Sequence, residues 1–427
     1  MTGTVQHTPA CAPPDIEVDD WTVTDDHLHT GSLTGLGFAH AVNDTYAAFL
    51  PPLLPALIEK LSISKSEAGL LAFLSTSPSL LQPAIGYLAD HTDLRYLVIL
   101  APAIASTTMS LLGVAPRLLV LAVLVTLAGI GSAAFHAVAS PMAGHLSGRS
   151  LGRGMGIWMV GGALGFALGP LIVVGALSFL PLEGTPWLMI GGWAASAILY
   201  ACLRGVPTRP AGAVNDNSWQ DGLRAFQPIF YPVAGITLAR ALLVAATFTF
   251  LPTYLTEQGA PLWFAGLSVS ISAGAGMVGS LVGGSMSDRW GRRSILSLFL
   301  IASPILSLGL LAARSWTLVP VLILTGFTMP PSNVIILALV QERSLDNRAF
   351  ATGIYLALGF TSEAIASLAV GIMGDLFGLG STIAVGAVLM LLSLPLVLLL
   401  PRGRDLPSPG DFIVPDPTHD QYRGPQG

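Results

Sequence analysis

The sequence is short of charged residues. Only 10% of its 427 residues are Asp, Glu, Lys or Arg, whereas a soluble protein carries about 25%. Most of the surface must therefore face something other than water. The net charge of −5 gives no sign of a nucleic-acid partner, and none is expected.

Cysteine is equally scarce. The chain has 2 cysteines, Cys11 and Cys202, which excludes a disulfide framework and suggests no metal site. No nucleophile–base set or phosphate-binding loop stands out either, because the glycine-rich segments fall inside apolar runs. We therefore expect no metal, no cofactor and no enzymatic activity.

Basic residues are missing from the N-terminal segment. Residues 1–31 are rich in Asp and Glu and contain no Lys or Arg. A secretory signal needs a basic start and an apolar core, so none is predicted. We interpret 1–31 as a disordered acidic tail, and the Pro-, Gly- and Asp-rich segment 401–427 as a second disordered tail.

Long apolar runs fill the rest of the chain. Hydrophobic residues make up 52% of the sequence, and a run of about 20 residues suffices to cross a bilayer as a helix. The pattern predicts an all-α integral membrane protein in a lipid bilayer, with twelve transmembrane helices. Their expected spans are 33–58, 67–89, 94–114, 117–141, 152–181, 186–203, 229–256, 262–286, 294–313, 316–340, 350–374 and 380–400.

The basic residues are distributed unevenly between the two ends of these spans. Most of the 19 Lys and Arg residues fall at one end, while the other end holds Lys60, Lys65, Arg117 and Arg314. Short loops rich in Lys and Arg stay in the cytoplasm. We expect a multi-pass protein of the inner (plasma) membrane with both termini cytoplasmic.

Short motifs repeat between the two halves of the chain. Phe49-Leu50-Pro51 recurs as Phe250-Leu251-Pro252, and Gly156-Ile157-Trp158 recurs as Gly353-Ile354-Tyr355. The polar stretch 204–228 separates six spans from six. We therefore predict two related halves, 32–203 and 229–400, joined by a cytoplasmic linker at 204–228.

A charged connection lies between spans eight and nine. It contains the run from Gly284 to Arg293, and a looser copy begins at Gly86. The glycine, the aspartate four residues on and the following basic residues resemble the signature loop of the major facilitator superfamily. That resemblance implies two pseudo-symmetric six-helix halves and a conformational latch, although the first copy lacks one glycine and some positive charge. The latch residues would be Gly86, Asp90, Arg95, Gly284, Asp288, Arg289, Gly291, Arg292 and Arg293.

Several polar side chains lie deep within the predicted spans, where a charge is costly unless it faces a wet cavity or a partner. Asp44 or Glu363 could carry a proton, and Arg240 needs an anionic ligand or a counter-charge, for which Asp44 and Glu363 are candidates. A structural ion pair or hydrogen bond is the alternative for each. The predicted substrate and proton pathway consists of His40, Asn43, Asp44, His136, Arg240, Asn333 and Glu363.

The fifth span carries glycines at regular intervals. Gly161, Gly165 and Gly169 lie four residues apart and are followed by Pro170, which predicts a flat ridge for close packing of another helix. The run resembles the helix 5 motif associated with antiport in facilitator exporters. Together with Ala39–Asp44 and Gly131–His136 it resembles the fosmidomycin resistance group, whose namesake drug is a phosphonate anion.

These patterns lead to one expected function and two alternatives. The resemblance implies a monomeric, proton-coupled secondary transporter that exports a small, anionic drug or metabolite by alternating access. An uptake symporter for a carboxylate or phosphorylated metabolite would use the same cavity. A non-transporting membrane sensor on a facilitator frame is the alternative from another class.

Overall fold

A computed structural model describes residues 29–206, 219–343 and 348–401, and these residues fold into α-helices joined by short connections. Most of the predicted tails and part of the predicted linker lie outside the described residues, so those boundaries stay predictions. The helices are α1 (Thr30–Ala47), α2 (Leu50–Leu61), α3 (Lys65–Thr76), α4 (Gln82–His91), α5 (Arg95–Ser110), α6 (Leu118–Leu146), α7 (Leu151–Leu177), α8 (Met189–Leu203), α9 (Trp219–Val244), α10 (Leu251–Glu257), α11 (Leu262–Trp290), α12 (Arg292–Ala312), α13 (Leu318–Thr328), α14 (Pro331–Arg343), α15 (Arg348–Phe377) and α16 (Leu379–Leu392).

Ten helical segments within the described residues are long and apolar enough to cross a membrane. They correspond to the third to twelfth predicted spans. The first two predicted spans, 33–58 and 67–89, are each divided between two shorter helices, α1 with α2 and α3 with α4. Helix α9 begins at Trp219, ten residues before the start predicted for the seventh span.

The same motif interrupts the first and seventh spans. Helix α2 begins after Phe49 with a proline in its first turn, and α10 begins after Phe250 in the same way. A proline lacks an N–H group, so it suits the first turn of a new helix but cannot continue the hydrogen bonds of an old one. A π-helical turn, Ala245–Thr249, precedes the second break.

Helix packing repeats between the two halves. In the N-terminal half, helices α1–α8, the main pairs are α1 with α7, α3 with α6 and α5 with α8. In the C-terminal half, helices α9–α16, the corresponding pairs are α9 with α15, α11 with α13 and α12 with α16. The predicted fold of two pseudo-symmetric, all-helical halves is thereby confirmed.

The two halves pack tightly where α3 begins and α15 ends, which we call the Lys65 end. A Cβ atom added to Gly69 of α3 would lie 2.6 Å from the carbonyl oxygen of Ser367 in α15. The ammonium group of Lys65 forms an ion pair with Glu257 of α10, with Nζ and Oε1 2.8 Å apart. The halves are therefore joined by close backbone packing and by charge.

Asp375 caps α3 from the opposite half. Its Oδ1 accepts a hydrogen bond from the backbone N–H of Lys65 at 2.9 Å, and its Oδ2 accepts one from the N–H of Ser66 at 2.8 Å. The first N–H groups of a helix have no partner within it and carry partial positive charge. A carboxylate from α15 thus stabilises the start of α3 and strengthens contact between the halves.

Glycines of α7 form a seam with α1. A Cβ atom on Gly165 would lie 2.9 Å from the Cβ of Asp44, and one on Gly169 would lie 2.8 Å from the Cβ of Ala48. Gly161 faces the backbone of Gly37 in the same manner. The flat ridge predicted from the spacing is present, its partner is α1, and α7 continues through Pro170 to Leu177.

Candidate substrate cavity

A cavity of about 290 Å³ lies between the halves. Asp44, Ser132 and His136 line it from the N-terminal half, and Glu363 and Ser367 line it from α15. A second cavity of about 110 Å³ shares Phe360 and Glu363 with the first and extends to Arg240, Asn333 and Tyr355. Five of the seven predicted pathway residues therefore line these two neighbouring cavities.

Three side chains of the N-terminal half form a compact cluster, the His–Asp triad of His40, Asp44 and His136. The two Nε2 atoms of the histidines are 3.2 Å apart. Asp44 Oδ2 lies 3.2 Å from Nε2 of His40, and Asp44 Oδ1 lies 3.6 Å from Nε2 of His136. The structure thus brings together residues of α1 and α6 that are far apart in sequence.

Backbone carbonyl groups hold both histidine rings. Nδ1 of His40 lies 2.9 Å from the carbonyl oxygen of Trp158, and Nδ1 of His136 lies 2.8 Å from that of Ser132. The Trp158 ring also stacks on His40, with centroids 3.8 Å apart. Because a carbonyl oxygen can only accept, both Nδ1 atoms carry the hydrogen, and the Nε2 atoms face the triad.

Asn43 fixes the carboxylate of the triad. Its Nδ2 group donates to Asp44 Oδ1 at 3.0 Å and to Ser132 Oγ at 3.4 Å. Asn43 is fully buried, and Asp44 is 5% exposed. Asp44 is therefore engaged within its own half and does not serve as the counter-charge of Arg240 that the sequence left open.

The C-terminal half contributes a cation to the cavity wall. Arg240 Nη2 donates a long hydrogen bond of 3.4 Å to Asn333 Oδ1, and its buried Nε has no hydrogen-bond partner in the structure. Tyr355 donates to the same Asn333 oxygen at 2.5 Å. The guanidinium group of Arg240 thus keeps donor capacity for a further acceptor.

Glu363 occupies the junction of the two cavities. It lines both of them and lies within the electrostatic reach of Arg240. Of the two carboxylates that the sequence left open as partners of Arg240, the structure places Glu363 beside it.

The two polar clusters occupy related positions in the internal repeat. His136 corresponds to Asn333, and Trp158 corresponds to Tyr355. Each aromatic residue contacts a polar side chain of the cavity wall. The Gly-Ile-aromatic repeat is visible in the sequence, but the repeat alone does not indicate the role of these aromatic residues.

Gly162 is a further residue that the sequence analysis did not single out. A Cβ atom at this position would lie 2.5 Å from Nε2 of His40 and 3.1 Å from Oδ2 of Asp44. Because glycine has no side chain, it leaves the space that His40 and Asp44 of the triad occupy. The neighbouring glycines of the seam were recognised by their four-residue spacing, a signal that Gly162 lacks.

The second signature loop is held by Arg292. Its Nη1 lies 2.6 Å from Asp288 Oδ1, and its Nη2 lies 2.6 Å from Oε1 of Glu342 in α14. Gly291 separates α11 from α12 with a φ of 89°, a left-handed conformation that favours glycine. Arg293 donates to the carbonyl oxygen of Leu398 at 2.7 Å.

These contacts of the second loop all lie within the C-terminal half. Gly284 lies inside α11, and Arg289 is exposed. Glu342, which sequence reasoning missed, is the acidic partner from another helix. Among the described residues these contacts brace the C-terminal half, and the latch role of the second signature loop stays a prediction.

The first signature loop is built differently. Arg95 pairs with Asp93 and donates from Nη1 to the carbonyl oxygen of Arg204 at 2.6 Å. A Cβ atom on Gly86 would meet open space. The side chain of Asp90 lies outside what the structure describes, so its predicted latch role stays a prediction.

Comparison with known proteins identifies the family. The sequence profile of the Major Facilitator Superfamily matches residues 36–344 and 264–415. The chain belongs to the major facilitator superfamily. It is thus a multi-pass membrane protein of a family of transporters, as the signature loops predict.

Two curated relatives are similar over most of the chain. The uncharacterized MFS-type transporter YfnC of Bacillus subtilis (strain 168) is 27% identical over 389 residues, which cover 87% of this chain and 93% of YfnC. The fosmidomycin resistance protein of Escherichia coli (strain K12) is 23% identical over 387 residues, which cover 88% of this chain and 93% of that protein. Both relatives agree with the predicted family.

Solved facilitator structures share the fold. The nucleoside transporter NupG aligns with a TM-score of 0.67 at 15% identity, covering 86% of this chain and 98% of NupG. A bacterial homologue of the human lysosomal transporter Spinster, in an inward-facing and occupied conformation, aligns with a TM-score of 0.67 at 16% identity, covering 87% and 95%. At such identities the likeness concerns the fold alone.

Proposed function

We propose that this facilitator exports a small anionic compound in exchange for protons, by alternating access across the inner membrane. The observation that carries the proposal is the guanidinium group of Arg240, which lines a cavity of the C-terminal half with its buried Nε free of a hydrogen-bond partner among the described residues. A permanent cation in a membrane interior needs an anion to offset its desolvation. Carboxylate, phosphate and phosphonate groups fit the planar donors of arginine.

Closure at the Lys65 end supports alternating access. Asp375 and Glu257 tie the halves together there through Lys65. The distribution of basic residues predicts that this end faces outward, so the cavity would open toward the cytoplasm. Substrate would enter from that side, and rocking of the halves would expose it to the other.

We assign the proton to Glu363 rather than to Asp44. Glu363 lines both cavities beside Arg240 of α9 and faces Asp44 and His136 across the larger one, whereas Asp44 is already bonded by Asn43 and flanked by two histidines. Exchange of substrate for protons requires that the carrier bind either the substrate or the proton, but not both at once. A hydroxyl group of the substrate would donate a hydrogen bond to the ionised Glu363, and protonation would remove the negative charge that strengthens this bond.

Two further observations favour export. The Gly161–Pro170 run resembles the antiport motif of exporters, and one relative is a fosmidomycin resistance protein. An anionic drug or metabolite of that kind is the substrate class that Arg240 favours. The proposed carrier acts as a monomer, since one chain contributes both cavity walls.

The closeness of Glu363 to Arg240 also favours a second candidate. An anion on Arg240 offsets the positive charge that stabilises ionised Glu363, so anion and proton would bind together. Such coupling is that of an uptake symporter for a carboxylate or phosphorylated metabolite. The direction of transport under a pH gradient separates the two candidates.

The test is an accumulation and resistance assay. An efflux-deficient bacterium expressing the chain is challenged with a panel of small anions that includes fosmidomycin. Resistance with lowered cell content, lost in Arg240→Ala and Glu363→Gln but kept in Arg314→Ala, is expected for an exporter. Arg314 is the matched control because its guanidinium group bonds the carbonyl oxygens of Leu311 and Ala313 in its own loop and lines neither cavity.

The other outcomes decide against export. Raised cell content of a panel member would assign uptake. Equal content with and without the chain across the panel would reject anion transport and favour the sensor alternative. Reconstituted vesicles with an imposed pH gradient then show whether protons move with or against the substrate.

A further inference from the structure

The His–Asp triad presents three acceptor atoms to one point. The Nε2 atoms of His40 and His136 are 3.2 Å apart, and Asp44 lies 3.2 Å from one and 3.6 Å from the other. Both Nδ1 atoms lie against backbone carbonyl groups, so Nε2 is the ring atom that each histidine turns toward the carboxylate. A proton or a metal ion among these atoms offsets the repulsion between their lone pairs.

The spacing of the triad fits a transition-metal ion. Metal–nitrogen and metal–oxygen bonds of about 2.0–2.1 Å at tetrahedral angles put two ligand atoms about 3.3 Å apart. The distance between the two Nε2 atoms and that from His40 Nε2 to Asp44 Oδ2, both 3.2 Å, are close to that value, and His136 Nε2 lies 3.6 Å from the other carboxylate oxygen, Oδ1. Two imidazoles and one carboxylate are also the ligand set of zinc sites that keep a fourth position open.

The surroundings of the triad are those of metal ligands. A ligating histidine donates its second ring N–H to a carbonyl or carboxylate group, and a ligating carboxylate is itself hydrogen-bonded. Here Trp158 and Ser132 supply the carbonyl groups, and Asn43 donates to the carboxylate. Asp44 and His136 line the larger cavity, which provides an entry path.

We propose that the His–Asp triad binds one divalent transition-metal ion of the zinc class, with its fourth position open to the cavity. The inference goes beyond the proposed transport cycle and does not depend on it. A metal here would link α1 to α6 and add a positive centre to the wall of the larger cavity. It replaces the expectation, drawn from scarce cysteine, that the chain has no metal site.

Metal binding is measured directly on the full chain. The protein is purified in detergent with a tag free of histidine and titrated with Co²⁺, whose visible absorption bands report tetrahedral nitrogen and oxygen ligands. Zn²⁺ is then added as competitor, and its affinity is confirmed by calorimetry. We expect one ion per chain, with binding weakened more than about 100-fold in His40→Ala and His136→Ala.

The matched control is His145→Ala. His145 lies on α6 with His136 but is exposed and outside the triad, so its loss should leave the titration unchanged. Gly162→Ala tests geometry without removing a ligand, because its Cβ would lie 2.5 Å from Nε2 of His40. We expect about a 10-fold loss of affinity in this variant, in the range of changes around metal ligands.

Several results would overturn the proposal. One is a wild-type titration without tetrahedral cobalt bands, and another is an affinity shared by wild type, His145→Ala and the triad variants. The triad would then be a proton site only. Size-exclusion profiles establish which variants fold, and if the alanine variants do not, Asp44→Asn and Gly162→Ala decide the question.

Discussion

The carbonyl oxygen of Trp158 accepts a hydrogen bond from His40, and the hydroxyl group of Tyr355, its counterpart in the other half, donates one to Asn333. Each of the two aromatic residues thus holds a polar side chain of its own half, His40 in the triad and Asn333 at the smaller cavity. One acts through its backbone and the other through its side chain. The Gly-Ile-aromatic motif occupies equivalent positions in the two halves, but its aromatic residues form different hydrogen bonds.

Tyr355→Phe should weaken substrate binding without abolishing it. The hydroxyl group shares Asn333 Oδ1 with Arg240, so its removal lets the arginine turn toward Asn333 and away from the ligand. A lost hydrogen bond of this kind is worth about 1 kcal/mol, or roughly a fivefold change in affinity. Tyr231→Phe, at an exposed ring, is the control. Equal substrate affinity in both variants would contradict the role assigned to Tyr355.

Gly165→Ala should destabilise the N-terminal half. The new methyl group would lie 2.9 Å from the Cβ of Asp44 and against the backbone of α1, so the two helices must separate. Overpacking of this kind costs about 1–3 kcal/mol. Thermal unfolding in detergent measures the loss. Gly175→Ala on the same helix meets open space and should unfold at the wild-type temperature; a similar loss in both would show that the seam is not tight.

Asp375→Asn should favour opening at the Lys65 end. The carboxylate accepts from the first two N–H groups of α3, and a neutral amide interacts less strongly with a helix N-terminus. A loss of about 1 kcal/mol would raise the open population roughly fivefold. Spin labels at Glu59→Cys and Gln258→Cys, in opposite halves, report the distance distribution.

Glu183→Gln is the control for that experiment. Glu183 lies at the same end and pairs with Lys60 at 2.7 Å, but both residues belong to the N-terminal half. Its distance distribution should match the wild type. If Asp375→Asn and Glu183→Gln gave the same distribution, the cap on α3 would have no part in closure.

Glu342→Gln should destabilise the second signature loop more than Asp288→Asn. Glu342 accepts from both Nε and Nη2 of Arg292, at 3.1 and 2.6 Å, and its side chain is 31% exposed. Asp288 is 61% exposed, and an exposed ion pair contributes less than about 1 kcal/mol. The charge-assisted pair with Glu342 should be worth about 1–3 kcal/mol. Equal unfolding temperatures for the two variants would contradict this order.

Features that follow from local pattern could be read from the sequence. Span length and hydropathy located most of the helices, and the four-residue spacing of glycines predicted a flat packing ridge on α7. The depth of polar residues within the spans pointed to Asp44, Arg240 and Glu363. Each of these depends on residue type and spacing along one element.

Contacts that depend on how helices cross one another could not be predicted from the sequence. Trp158 holds His40 through a carbonyl oxygen, which every residue possesses, so its side chain gives no signal. Gly162 matters only because of the angle at which α1 passes over it. Asp375 caps a helix of the other half, a contact that exists only after the halves have docked.

The helix breaks at Phe49 and Phe250 divide the first and seventh spans into two pieces each, and the pieces carry different residues. The pieces before the breaks, α1 and α9, carry His40, Asp44 and Arg240, while the piece after the second break, α10, carries Glu257, which pairs with Lys65. The residues proposed for recognition and those that join the halves thus lie on separate pieces of the same span. Substitutions in α1 and α9 could therefore change which compound is bound without altering the contacts that join the halves at the Lys65 end. Proteins built in this way could bind different substrates while keeping the same closing contacts.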